Sequence, residues 1–289
     1  MAHLYKMKRS VKLICSLLIV WTINSVAFSQ DTLRILAVGN SFSEDAIENH
    51  LHQLARAAGK VYIVGNLFIP GCSLERHWNN MQQNTPAYSY RKISDNGIKT
   101  TIEQQTLASA LRDEKWDYIS FQQVSQLSGK IETYFPYLND LLKRARSLVV
   151  NPDAQFIWHQ TWAYAQNATH SGYVNYNKNQ LQMYNAIVNT VSKVVKQTAI
   201  KKIVPAGTAI QNARTSWLGD QFCRDGFHLI RPLGSYAAAC TWFEALSGEN
   251  VIGNSYSPEE LAKEEVIITQ TAAHRAVLYP FRISDMSDL

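Results

Sequence analysis

Leu33-Arg34-Ile35-Leu36-Ala37-Val38-Gly39-Asn40-Ser41-Phe42-Ser43 is a mostly apolar run that ends in a short polar turn. Residues 33–38 read as a buried strand. Beyond the turn, Ile47, Leu51, Leu54 and Ala58 recur at helical spacing, so a helix is predicted over 43–58. Ser41 then stands at the C-terminal end of a strand, beside a helix N-terminus. Ligands of open α/β sheets bind at that edge, and helix-start N–H groups favour negative charge there. A Gly-Asn-Ser turn also serves as a plain strand-to-helix connection with the serine as cap. The stretch therefore needs partners elsewhere before it implies chemistry.

Outward from it the chain alternates. Further strands are predicted at 61–69, 116–121, 154–159 and 202–205, with helices at 101–115, 133–148 and 179–196 and a helical run over 236–246. Near-continuous apolar strands alternating with helices predict an α/β domain, a mostly parallel five-stranded sheet covered on both faces. Residues 73–96 are polar and aromatic with little periodicity, and read as a long loop. The tail from Ser257-Pro258 opens with a helix-start signal, Ser as cap and Pro at the first helical position. No repeat or linker divides the chain, so residues 30–289 read as one domain with a C-terminal helical extension.

The first 29 residues read differently. Lys6, Lys8, Arg9 and Lys12 precede an apolar run, and Ala27 and Ser29 are small residues at a cleavage-like site, which is the pattern of a secretory signal peptide. The predicted location is exported, periplasmic or secreted, with no stable membrane insertion after cleavage. Removing that segment takes away four basic residues and no acids, lowering the formal charge from +5 to +1. Such a balance, without a basic stripe, does not suggest a nucleic-acid partner. Cys72, Cys223 and Cys240 remain, an odd number for an exported chain. Cys240 sits in an apolar helical pattern. Cys72 and Cys223 each adjoin a site segment and are read either as a disulfide or as two buried thiols.

No dinucleotide or phosphate loop and no His-Glu-x-x-His occurs, and His50 and His52 point to different faces of a helix, so neither a cofactor nor a metal is predicted. The informative late segment is Cys223-Arg224-Asp225-Gly226-Phe227-His228. Three residues apart in a loop, a carboxylate can hold one imidazole nitrogen while the other faces outward as a base, as a serine nucleophile requires. A capping aspartate and a surface histidine would give the same letters.

Together, the strand–Gly-Asn-Ser-Phe-Ser block, a Gly after the second strand and Asp-x-x-His before the last packed helix resemble the SGNH (GDSL-type) hydrolase superfamily. The resemblance is to an exported bacterial branch filed as a domain of unknown function. It spans roughly residues 33–248 and implies a flavodoxin-like αβα sandwich with ester hydrolysis, often of O-acetyl groups on polysaccharides. It further implies Ser41 as nucleophile, His228 as base and then acid, Asp225 as its orienting partner, and Gly71 N–H with Ser41 N–H as an oxyanion hole. One departure stands out. The superfamily's Gly-x-Asn-Asp block is absent, and Gln122 or Gln126 is left to supply the third donor. Aromatic clusters, with Trp78, Tyr88, Trp158, Gln160 and Trp162 as candidate substrate contacts, read either as sugar platforms or as ordinary packing.

The favoured function is a secreted carbohydrate esterase acting on a small-molecule or glycan ester through an acyl-enzyme, with an acid limb in its pH profile as the base takes up a proton. The alternatives are a non-catalytic glycan-binding protein and an O-acyltransferase using the same serine.

Overall fold

The computed structural model describes residues 32–289, and the segment read as a signal peptide lies outside them. In order, the chain forms β1 (Thr32–Gly39), α1 (Ser41–Ile47), α2 (Leu51–Ala57), β2 (Val61–Phe68), α3 (Leu74–Gln83), β3 (Tyr88–Ile93), β4 (Lys99–Gln105) and α4 (Leu107–Asp113). It continues through β5 (Tyr118–Phe121), α5 (Tyr137–Arg146), β6 (Gln155–His159), α6 (Gln180–Gln197), β7 (Lys202–Val204), α7 (Ala206–Ala213), α8 (Leu233–Ser247) and α9 (Lys263–Leu278). The strands make one seven-stranded sheet of order β4-β3-β2-β1-β5-β6-β7.

The five strands from β2 to β7 in that order are parallel and correspond to the five apolar runs. In β1, Ile35, Leu36, Ala37 and Val38 are all buried, as expected of a strand covered on both faces. Register sets the level of the strand ends. Gly39 pairs with Phe68, Val38 with Phe121, and Phe121 with Trp158. The segments that follow β1, β2, β5 and β6 therefore emerge along one edge. Right-handed crossovers put the helices after β1 on one face and those between β2 and β7 on the other. Helix α8 then returns to pack on α1 and α2. The result is three layers.

The sheet has two strands more than the sequence reading. Residues 73–96 are not a loop. They hold α3, capped by the Ser73 side chain, which accepts the Arg76 N–H at 3.2 Å, followed by β3. β3 pairs antiparallel with β2 and with β4, and β4 runs on to Gln105, into the stretch predicted as helix, so α4 starts only at Leu107. α3 buries Leu74, His77 and Met81, a helical stripe in which histidine replaces an apolar residue. β4 is exposed along almost its whole length, a polar edge that resists pairing with another chain. The first predicted helix is broken at residues 48–50, where His50 turns to hydrogen-bond Tyr256 and Ser235. α9 starts at Lys263, later than the Ser257-Pro258 signal, with the Glu265 carboxylate accepting the Ala262 N–H at 2.8 Å.

Candidate active site

β1 ends at Gly39, where a Cβ would stand 2.5 Å from Ser43 Oγ, so the turn closes only around glycine. Asn40 follows in extended conformation as the cap of α1, its Oδ1 accepting the Phe42 N–H at 3.0 Å and its Nδ2 donating to the Cys72 carbonyl at 3.1 Å. The cap is thus the asparagine, and Ser41 is the first helical residue. That leaves the serine hydroxyl free to face outward.

The second half of the site is a hairpin loop. Ile230 N–H donates to the Phe222 carbonyl and Arg224 N–H to the His228 carbonyl, both at 2.9 Å, while Gly226 turns the tip at φ +91°. Asp225 Oδ1 accepts the N–H groups of Phe227 (3.1 Å) and His228 (2.8 Å), and its Oδ2 lies 2.6 Å from His228 Nδ1. Burial pushes the Asp225 carboxyl up, but these hydrogen bonds and the imidazole outweigh it and hold the group below the usual carboxylate range. An ionised Asp225 fixes the proton on Nδ1. Nε2 then offers its lone pair to Ser41 Oγ, 2.8 Å away. Chemically, this is a hydroxyl, an imidazole and a carboxylate in line, able to take a proton from the serine as it attacks.

The two halves are joined by Asp45, on α1 one turn after Ser41 and 1% exposed. It accepts from Arg224 Nη1 at 3.0 Å, from Leu229 N–H at 2.9 Å and from Arg231 Nη2 at 3.4 Å, residues on both sides of Asp225 and His228. Burial raises its pKa against the pull of the Arg224 guanidinium. Behind His228 lies an aromatic support. Phe42 stacks on Trp162 at 4.3 Å, and Trp162 Nε1–H donates to the Phe227 carbonyl at 2.8 Å.

Ser41 and His228 open onto a cleft of about 380 Å³, whose walls include Gly71, Gln126, Val124, Glu44, Arg224 and His170. Among the described residues nothing hydrogen-bonds the backbone N–H of Ser41 or of Gly71. Gly71 stands at φ +60°, a conformation that favours glycine. Ser41, His228, Gly71 and Gln126 are therefore brought to one cleft, with Asp225 reaching it through His228. Gln122 does not line it. Its buried carboxamide donates to Asn40 Oδ1 at 2.8 Å and accepts from His159 Nδ1 at 2.8 Å, so it braces the turn before Ser41 from behind.

The aromatic platforms are corrected likewise. Tyr88, Trp158, Gln160 and Trp162 are at most 1% exposed and belong to the core, where large rings contribute most by burial. Trp78 lines a different surface hollow with Asp140 and Lys143. Cys72 and Cys223 are not bridged. Both are free thiols, pushed up by burial to about 12 and about 11, with Cys72 donating to the Ser73 carbonyl and Cys223 facing Arg214. The sequence reading missed Asp45, Glu44, Arg224 and His170. Asp45 was recoverable, since a residue four positions after the serine shares its helix face. His170, in a polar loop without periodicity, gave no signal.

A family model described as a domain of unknown function (DUF4886) matches residues 34–276. Among solved structures, a DUF4886 family protein from Bacteroides uniformis ATCC 8492 is 50% identical with a TM-score of 0.88, over 90% of this chain and 100% of that one. LAE5, an alpha/beta hydrolase enzyme from the metagenome of Lake Arreo, is 12% identical with a TM-score of 0.49, over 74% of this chain and 94% of that one. The acetyl xylan esterase AlAXEase is 11% identical with a TM-score of 0.47, over 74% and 100%. No curated protein matches.

Proposed function

The chain belongs to the DUF4886 family, and from that premise we propose that it is an exported serine esterase that removes acyl groups, most simply O-acetyl, from a carbohydrate through an acyl-enzyme. One observation carries the reading. Ser41 Oγ, His228 Nε2 and the Asp225 carboxylate are connected at 2.8 and 2.6 Å at the rim of an open cleft.

His228 takes the Ser41 proton as the oxygen attacks the ester carbonyl. The oxyanion is received by the Ser41 and Gly71 N–H groups, and Gln126 is the carboxamide on the cleft wall that takes the third position. His228, now protonated and held by Asp225, gives its proton to the departing alcohol. Water then repeats the sequence and releases the acid.

Glu44, Gln126, His170 and Arg224 give the cleft wall hydrogen-bonding groups suited to a polyhydroxy alcohol, set within a lining whose larger share is apolar, with Pro70, Val124 and Phe227. The case for a sugar thus rests on these side chains and not on aromatic stacking. The basic and apolar pattern of residues 1–29 supports export.

The test is turnover of p-nitrophenyl acetate and of acetylated oligosaccharides, the latter followed by mass spectrometry for loss of acetyl. Ser41→Ala and His228→Ala should each lower kcat by at least about 10⁴-fold. Unchanged turnover in Ser41→Ala would overturn the nucleophile and with it the esterase reading.

A further inference from the structure

His170 lines the same cleft as Ser41 and His228 and takes no part in the proton transfers described above. It caps a short 3-10 helix, Ser171–Tyr176, by accepting the Gly172 N–H on Nδ1 at 3.0 Å. A backbone N–H can only donate, so Nδ1 must carry a lone pair, and the neutral ring must carry its hydrogen on Nε2. The Tyr164 hydroxyl lies 3.4 Å from the same Nδ1 and does not change this. Nε2 has no hydrogen-bond partner among the described residues and is not among the buried polar atoms left unpaired. It is an accessible donor in the cleft wall.

The ring is also fixed in place. Phe227 meets it edge-on at 4.9 Å and also packs against the His228 ring at 4.2 Å, while Tyr164 packs at 5.0 Å. Burial and then the neighbouring His228 lower its basicity, against an opposing pull from Asp225, which favours the neutral ring.

We propose that His170 is a specificity residue whose Nε2–H donates to a hydroxyl or ether oxygen on the alcohol part of the substrate, beside the ester being cleaved. The assignment to the alcohol part follows from position. His228 protonates the leaving oxygen, and His170 shares Phe227 with it, so the atoms next to that oxygen are those His170 meets. Gly71, on the segment after β2, contributes the oxyanion side. The ligand class is a monoacylated diol or sugar in which a free oxygen neighbours the ester. This deepens, and rests on, the esterase reading.

Two substrates separate the possibilities: a monoacetylated methyl glycoside with a free hydroxyl beside the ester, and its deoxy counterpart lacking that hydroxyl. The wild-type protein should prefer the first. In His170→Asn the shorter carboxamide can still accept the Gly172 N–H but cannot reach the Nε2 position. The preference, as a ratio of kcat/KM values, should then fall roughly 3- to 10-fold, the worth of one hydrogen bond. His170→Gln, which carries an N–H to that position, should restore part of it. Equal losses on both substrates, or an unchanged ratio, would overturn the proposal. Wild-type turnover of p-nitrophenyl acetate with no His170-dependent preference defeats this inference alone. No turnover of any ester by the wild-type protein defeats the esterase reading itself.

Discussion

Gln122 and Gln126 carry the same carboxamide four residues apart, and their surroundings give them different work. Gln122 is 2% exposed and committed to Asn40 and His159, whereas Gln126 lines the cleft beside Ser41. Replacing each by alanine separates the roles. Gln126→Ala should lower kcat/KM by about 100- to 1000-fold, as loss of an oxyanion donor does, with little change in melting temperature. Gln122→Ala should instead cost about 1–3 kcal/mol in denaturant unfolding, because it strands the Asn40 and His159 groups in the interior. The opposite pattern would exchange the two assignments. From residue types alone the two were equivalent, since what distinguishes them is which one a neighbouring strand covers. The same cause misled the reading of Trp158 and Trp162. Aromatic residues at or just past a strand end look available to a ligand, yet here Tyr134 packs on Trp158 and Phe42, beside Ser41, stacks on Trp162.

At the scale of elements, the site is a joint between α1 and the loop that follows Phe222, and Asp45 is its pin. Ser41 and His228 belong to segments with no covalent reason to meet. The Asp45 carboxylate binds Arg224 and Leu229, which flank the Asp225–His228 pair. Asp45→Asn keeps the volume but removes the ion pair, and the Arg224 side chain, 39% exposed, can rehydrate. The expected stability loss is therefore modest, about 1–3 kcal/mol. Activity should suffer more. A small displacement of His228 lowers kcat, by up to about 100-fold, with KM nearly constant. A rise in KM at constant kcat would show that Asp45 serves substrate binding instead.

Elements were legible where burial imposed a pattern. β1, β2, β5, β6 and β7 are covered on at least one face and read as apolar runs. α3 and β3 bury short stripes interrupted by polar residues, and β4 buries almost nothing, so little periodicity shows. In α3, His77 occupies a core position, and β4 presents Thr100, Thr101, Glu103 and Gln104 to solvent. The segments holding Ser41 and the Asp225–His228 pair stood out for a different reason: the proposed chemistry demands particular residues at turns, where packing does not dictate identity.

For the whole molecule, the buried histidines set the response to acid. His77 and His159 are both fully buried, with Nδ1 of His77 3.0 Å from the Tyr88 hydroxyl and that of His159 bound to Gln122. Burial lowers each to about 3, far below the ordinary imidazole value. The unfolded chain therefore binds protons below about pH 6.5 that the folded chain refuses. Stability from these groups is fully present above that pH and is lost as pH falls toward the folded value. The slope is about 1.4 kcal/mol per pH unit for each imidazole. Two such groups acting together consume a large share of a typical stability of roughly 5–15 kcal/mol within a few pH units. Urea unfolding at pH 6.5 and pH 5 should thus show a marked loss. In His77→Asn, which can keep the bond to Tyr88 but cannot titrate, the loss between those two pH values should shrink by about 2 kcal/mol. A loss of undiminished size would mean that His77 accepts its proton within the folded core, and that acid sensitivity originates elsewhere.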